Sequence, residues 1–279
     1  MKHLVSLKRF VIIFFLIISY SALSQKIITL PLEGLNGPNG IGIDSQGRLY
    51  IANEPGKRVL VFDRDNSLLK IIKSDSPDGI AFDSEKNVYI SNFYSGLVMK
   101  YDVHGVADTL AHLLGQPSDI EVDRLGNIYV SEFNLDRVSV IDKNGDARVF
   151  ANGITKPFGL ACDNEGNVYV ASNTTGQIFK CSTNEKKLLA TVPGSVAYIA
   201  YSNKTGNLYA ACFTGNAIYK INKSGEVSRF AGTGVKGGED GDIGQCTFDG
   251  PNSVTLSPEG DIYISEFPAN RIRRIIKAE

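Results

Sequence analysis

The chain has 279 residues, 43% of them apolar and 21% charged, an ordinary globular composition with length enough for a large core. Twenty-nine Lys and Arg against 30 Asp and Glu give a net charge of −1, which supplies no basic footprint for nucleic acid or for a membrane surface. Ten prolines and no low-complexity tract argue against long disordered segments.

The N-terminus stands apart from the rest. Lys2, His3, Lys8 and Arg9 precede an unbroken apolar run from Phe10 to Ile18, and Ala22 and Ser24 fall at −3 and −1 of a cut before Gln25. This three-part layout predicts a secretory signal peptide over 1–24. The apolar run is too short to span a bilayer comfortably, so the mature chain, 25–279, is expected to be secreted or periplasmic with no membrane span.

Lys26 to Leu30 reads as an isolated strand. After it one repeat of about 40 residues returns six times. Its copies include Pro77-Asp-Gly-Ile-Ala-Phe-Asp83, Pro117-Ser-Asp-Ile-Glu-Val-Asp123 and Pro157-Phe-Gly-Leu-Ala-Cys-Asp163, and each runs on into a tyrosine strand. The anchoring tyrosines are Tyr50, Tyr89, Tyr129, Tyr169, Tyr209 and Tyr263, spaced 39, 40, 40, 40 and 54 residues apart. Within one copy, Ile120 to Val122 is a first strand and Asp-x-x-Gly a tight turn, its Asp binding backbone amides. Asn127 to Ser131 is a second strand rich in β-formers, Arg137 to Ile141 a third and Asp146 to Phe150 a fourth.

Four antiparallel strands repeated six times predict an all-β, six-bladed β-propeller of four-stranded antiparallel blades. The last copy supplies only a third strand, from Arg271 to Lys277. Lys26 to Leu30 is therefore expected to complete the last blade, closing the ring and removing an open edge.

Cys162, Cys181, Cys212 and Cys246 match no zinc spacing. Cys162 and Cys181 fall at apolar positions of the repeat and read as buried free thiols.

The pattern Pro-x-Gly-Ile/Val-x-x-Asp-x-x-Gly-Asn-Leu/Val-Tyr-Val-Ala resembles the NHL repeat across essentially all of 26–279. Ala231-Gly-Thr-Gly with Asp240, Phe248 and Pro251 resembles its longer variant, which accounts for the 54-residue interval. The wider group of similar propellers contains gluconolactonases, streptogramin lyases, peptide-amidating lyases and non-enzymatic binding modules, so fold alone does not decide activity.

Residues that break the repeat are the candidates for a site at the channel end where the loops leading into the first strands emerge. Asn39, Asp78 and Asn252 occupy the same position on three consecutive blades. Their oxygens suit a hard divalent cation, Ca²⁺ or Mg²⁺, and the trio is similar to the metal cluster of the gluconolactonase family. That family adds a glutamate from the opposite blade, where this chain has Phe158. Asn53, Asn92, Asp119 and Tyr198 join them as candidate ligand-binding residues for a small polar ligand or a protein partner.

Glu132 and Glu266 each precede an Arg by five positions across the hairpin, Arg137 and Arg271. They read as cross-strand ion pairs; Asn53 with Arg58 follows the same spacing. Phe93, Phe133, Phe213 and Phe267 read as blade-to-blade packing. The lyase chemistries of the group need histidine, and His3, His104 and His112 all lie away from the channel in this reading. Glu239 to Asp242 lacks the spacing of a calcium loop and reads as solvated. Two functions follow: a binding module, or a divalent-metal lactonase-like hydrolase.

Overall fold

The computed structural model describes residues 25–112, 115–142, 145–183 and 185–276; the signal-peptide expectation for 1–24 lies outside them. Six antiparallel sheets form a ring, five with four strands and one with five. Blades 1 to 5 span 38–73, 77–111, 117–152, 157–191 and 196–231, and blade 6 is built on Pro251–Leu256, Ile262–Glu266 and Arg271–Ile276. The innermost strand of each blade neighbours those of the blades before and after it, and blade 6 adjoins blade 1. Among the described residues no helix is long and apolar enough to cross a membrane.

The repeat positions do what their chemistry implies. The Asp83, Asp123 and Asp163 carboxylates accept turn amides, and each also accepts the hydroxyl of its blade's anchoring tyrosine, Tyr89, Tyr129 or Tyr169, at 2.9, 3.2 and 3.0 Å. The turn glycines Gly47, Gly126 and Gly166 adopt φ near +80°. Blade 2 lacks that glycine and forces Lys86 to φ +68°, a conformation that costs an L-residue about 1 kcal/mol.

Every inner strand breaks register just after its first residue. In blades 2, 3 and 6 a serine on the second strand repairs the gap. Ser91, Ser131 and Ser265 accept the orphaned amides of Gly79, Asp119 and Ser253 at 2.8, 2.9 and 3.0 Å, then donate to carbonyls of the next blade.

The inner strands crowd together at the channel. A Cβ on Gly40 would sit 2.1 Å from the Asp78 carbonyl oxygen, so packing requires glycine at this position of blade 1.

Closure is as expected. Lys26–Thr29 pairs antiparallel with Arg271–Ile276 inside blade 6. The segment 239–242 departs from the solvated loop expected of it. Gly241–Asp242 adds a fifth strand outside Lys26–Thr29, and Asp240 accepts the Thr29 amide at 2.9 Å and its hydroxyl at 3.1 Å. Asp240 also pairs with the fully buried Arg273 guanidinium at 2.7 Å. The long insertion of blade 6 is thus a clasp over the closing strand. All four cysteines are free thiols, with Cys181, Cys212 and Cys246 buried and Cys162 half-buried.

Candidate functional site

The position three after the anchoring tyrosine has one role in blades 1 to 5: it pins the loop that leads into its own blade. Asn53 accepts the Asn36 amide at 3.0 Å and donates to Gly34 O at 2.9 Å. Asn92 accepts from Ser74 and Ser76, Glu132 from the Gly115 amide, and Ser172 and Cys212 donate to Thr155 O and Pro193 O. Asn53 and Asn92, expected at a ligand site, are buried and spent on these loops.

Glu132 and Glu266 are fully buried and bind Arg137 at 2.8 Å and Arg271 at 2.5 Å. Burial works to raise both carboxyls. Around Glu132 the Arg137, Ser139 and Gly115 hydrogen bonds outweigh it and hold the group low, whereas Glu266 stays raised. Arg58 joins Asn53 only through a shared acceptor, Gly34 O.

Asn39, Asp78 and Asn252 do converge. The Asn252 amide donates to Asn39 Oδ1, Asn39 lies beside Asp78 and favours its charged form, and Tyr198 donates its hydroxyl to Asp78 Oδ1 at 2.5 Å. Asp78 is on blade 2 and Tyr198 on blade 5, directly across the ring. The phenol therefore spans the channel and closes it at this level. Burial pushes the Asp78 carboxyl well above the usual carboxylate range, with the Asp119 and Glu54 charges adding to it.

Asp119 is buried differently. Its oxygens accept the Ile120 and Leu160 amides, both at 2.8 Å, tying blade 3 to blade 4. Burial raises it to about 7 against those bonds.

Aromatic rings wall one side of this closed end. Phe93 to Phe133, Phe133 to Phe158 and Phe158 to Tyr198 have centroids 5.8, 5.9 and 5.2 Å apart, a continuous arc across blades 2 to 5. Phe213 and Phe267 pack onto the lead-in loops of the following blades, their ring edges close to Gly250 and Gly37. The four hairpin phenylalanines are thus blade-to-blade contacts, and two of them also build the arc.

The fit to a divalent cation is poor. The trio brings a single carboxyl, disfavoured as a carboxylate, and two of its oxygens already accept hydrogen bonds, Asn39 Oδ1 from Asn252 and Asp78 Oδ1 from Tyr198. At the fourth position Phe158 offers a ring edge to Tyr198. Among the described residues no group of three or more His, Cys, Asp or Glu side chains is placed to hold a metal ion. His104 lies in an exposed turn and His112 follows the outer strand Ala107–Ala111 of blade 2.

Glu121 is a further departure from the repeat, and one that residue type alone does not mark as part of a site. It stands in the channel on blade 3, where the other blades carry Gly42, Ala81, Ala161, Ala200 and Thr255. Burial, with the Asp119 charge adding to it, raises its carboxyl to about 8.

Comparison with known proteins agrees with this architecture. Residues 148–180 match a family model described as a beta-propeller repeat. No curated protein sequence matches the chain. A virginiamycin B lyase from Staphylococcus aureus is similar in structure at TM-score 0.68 and 18% identity, over 90% of this chain and 85% of that one. A gluconolactonase from Xanthomonas campestris gives 0.73 and 17%, over 91% of both. An auxiliary nutrient binding protein from Bacteroides thetaiotaomicron gives 0.73 and 17%, over 88% and 70%. The chain carries a β-propeller repeat and folds as a six-bladed propeller similar to streptogramin B lyase and gluconolactonase propellers.

Proposed function

We propose that this protein is an exported binding module that holds a small polar, hydroxyl-rich ligand over the closed end of the channel. The observation that carries the reading is the line of side chains Asn252, Asn39, Asp78 and Tyr198 across the channel, walled by Phe93, Phe133 and Phe158. Asn252, Asn39, Asp78 and Tyr198 break the repeat, so blade construction alone does not call for them. Amide, carboxyl and phenol groups together offer donors and acceptors. A carboxyl whose protonated form is favoured by burial can itself donate to a ligand oxygen. Asn39 is the one member of the four left partly open, so a ligand hydroxyl would replace its bond to Asn252 first. The aromatic arc gives an apolar flank against which a ring can lie. Similarity to a nutrient binding protein from Bacteroides thetaiotaomicron supports a ligand-holding role for such a frame, and the signal-like segment 1–24 supports export.

The test is thermal melting of the purified protein against monosaccharides, aldonolactones and polyols, followed by calorimetry on any that stabilise it. At least one class should raise the melting temperature, and Asn39→Ala and Phe158→Ala should each remove the effect. No stabilisation by any of them would refute the reading.

The convergence of Asn39, Asp78 and Asn252 favours one second reading, a divalent-metal lactonase similar to gluconolactonases, with the trio holding Ca²⁺ or Mg²⁺. It requires the Asn252–Asn39 and Tyr198–Asp78 bonds to open for the ion. A melting shift with Ca²⁺ or Mg²⁺ that Asp78→Ala abolishes would support it, and no shift with either ion would remove it.

A further inference from the structure

We propose that the opposite mouth of the channel is a second site, which takes a small organic cation with its ammonium group seated on Glu121. A cavity of about 280 Å³ opens there among blades 3 to 6, lined by Glu121, Cys162, Tyr201, Asn203 and Thr255, with Arg124 on an exposed turn at its rim. The volume suits a compact molecule of a few carbon atoms.

Charge decides what kind of molecule. The six inner strands that make the channel carry three carboxyls, Asp78, Asp119 and Glu121, and no Lys, Arg or His. The first two are satisfied within the protein, Asp78 by the Tyr198 hydroxyl and Asp119 by two amides. Glu121 has only the neighbouring Val122 amide, and no other described side chain or amide bonds to it. Glu121 is half-buried, and a partly desolvated carboxyl with no positive partner attracts a countercharge from solution. The raised proton affinity of Glu121 reports the same want of a positive partner. Tyr201 brings an aromatic ring to the same cavity, a second attraction for a cation. The repeat gives no structural reason for the acid, since the five equivalent residues are Gly, Ala or Thr.

Calorimetric titration of the purified protein with putrescine (1,4-diaminobutane) at pH 8.5, where the Glu121 carboxyl is ionised, tests this, with 1,4-butanediol as the uncharged isostere. Putrescine should bind and butanediol should not. Glu121→Gln, nearly isosteric and expected to melt no lower than the parent, should weaken putrescine by about tenfold or more, as losing a charge-assisted hydrogen bond implies. Absence of putrescine binding, equal binding by the Gln variant, or equal binding of butanediol would each overturn the proposal. None of these results bears on the site at the closed end, which is probed by uncharged ligands and by Asn39→Ala.

Discussion

Replacing Glu121 by Gln should stabilise the empty protein, and by an amount that depends on pH. In the unfolded chain the carboxyl has its ordinary value near 4.5, and burial in the channel raises it to about 8. A group whose folded value is raised binds protons more tightly when folded. Its ionisation therefore costs nothing below pH 4.5, costs progressively more between 4.5 and 8, and reaches a plateau above 8. At about 1.4 kcal/mol per unit the plateau is about 5 kcal/mol. Water in the adjoining cavity screens the charge, and we take about half, roughly 2–3 kcal/mol, as the expected gain at pH 8.5. For a domain of this size that corresponds to roughly 4–12 °C in melting temperature. At pH 5 the two proteins should differ by less than about 0.5 kcal/mol on the same scale. Asp78 also titrates upward of its ordinary value and tilts the stability of both proteins alike, whereas Asp119 is coupled to Glu121, so the difference curve carries Glu121 together with that coupling. The assay is urea unfolding from pH 4.5 to 9 without amines in the buffer. A difference that does not change with pH, or a Gln variant less stable at pH 8.5, would refute the account of the channel as an uncompensated acidic environment.

Four other outcomes follow from the geometry. Tyr198→Phe removes the donor that crosses the channel and leaves Asp78 without it, for a loss of about 1–3 kcal/mol read by urea unfolding; an unchanged midpoint would mean the tie adds nothing. Arg137→Ala strands the fully buried Glu132 carboxylate and should cost about 2–4 kcal/mol, more than expected of an exposed pair such as Lys57–Asp75. Lys86→Gly relieves a left-handed turn residue and should raise stability by about 0.5–1 kcal/mol, although glycine elsewhere in a turn would lower it. Asp240→Ala opens the clasp on the closing strand, so amide hydrogen exchange at 26–29 should accelerate while the inner strands of blades 2 to 4 stay protected.

The fold was legible because each blade repeats one chemical solution. The Asp-x-x-Gly turn, the tyrosine that bonds back to its Asp, and the orphan strand Lys26–Thr29 each mean the same thing wherever they occur. What escaped the sequence depends on distance across the ring. Asp78 and Tyr198 both stood out as breaks in the repeat, but 120 residues separate them, and only the closed ring places them face to face. Asn53 and Asn92 looked like breaks and are not. The residues at that position in blades 1 to 5 differ in type yet each reaches the lead-in loop of its own blade, and an alignment by residue type does not display a shared role. Asp240 was read as solvated because its partners, Thr29 and Arg273, come from the two chain ends. Glu121 is legible as the only charge at its position in six copies, but it lies at the end of the channel away from the lead-in loops.

The central claim is that the polar line across the closed end binds a ligand. Its most direct measurement is calorimetry of the parent protein and of Asn39→Ala with the sugar, lactone or polyol that most raises the melting temperature. We expect saturable binding at one site per chain, lost in Asn39→Ala and retained in Glu121→Gln. Binding left intact by Asn39→Ala, or no saturable binding by any of these compounds, would contradict the claim.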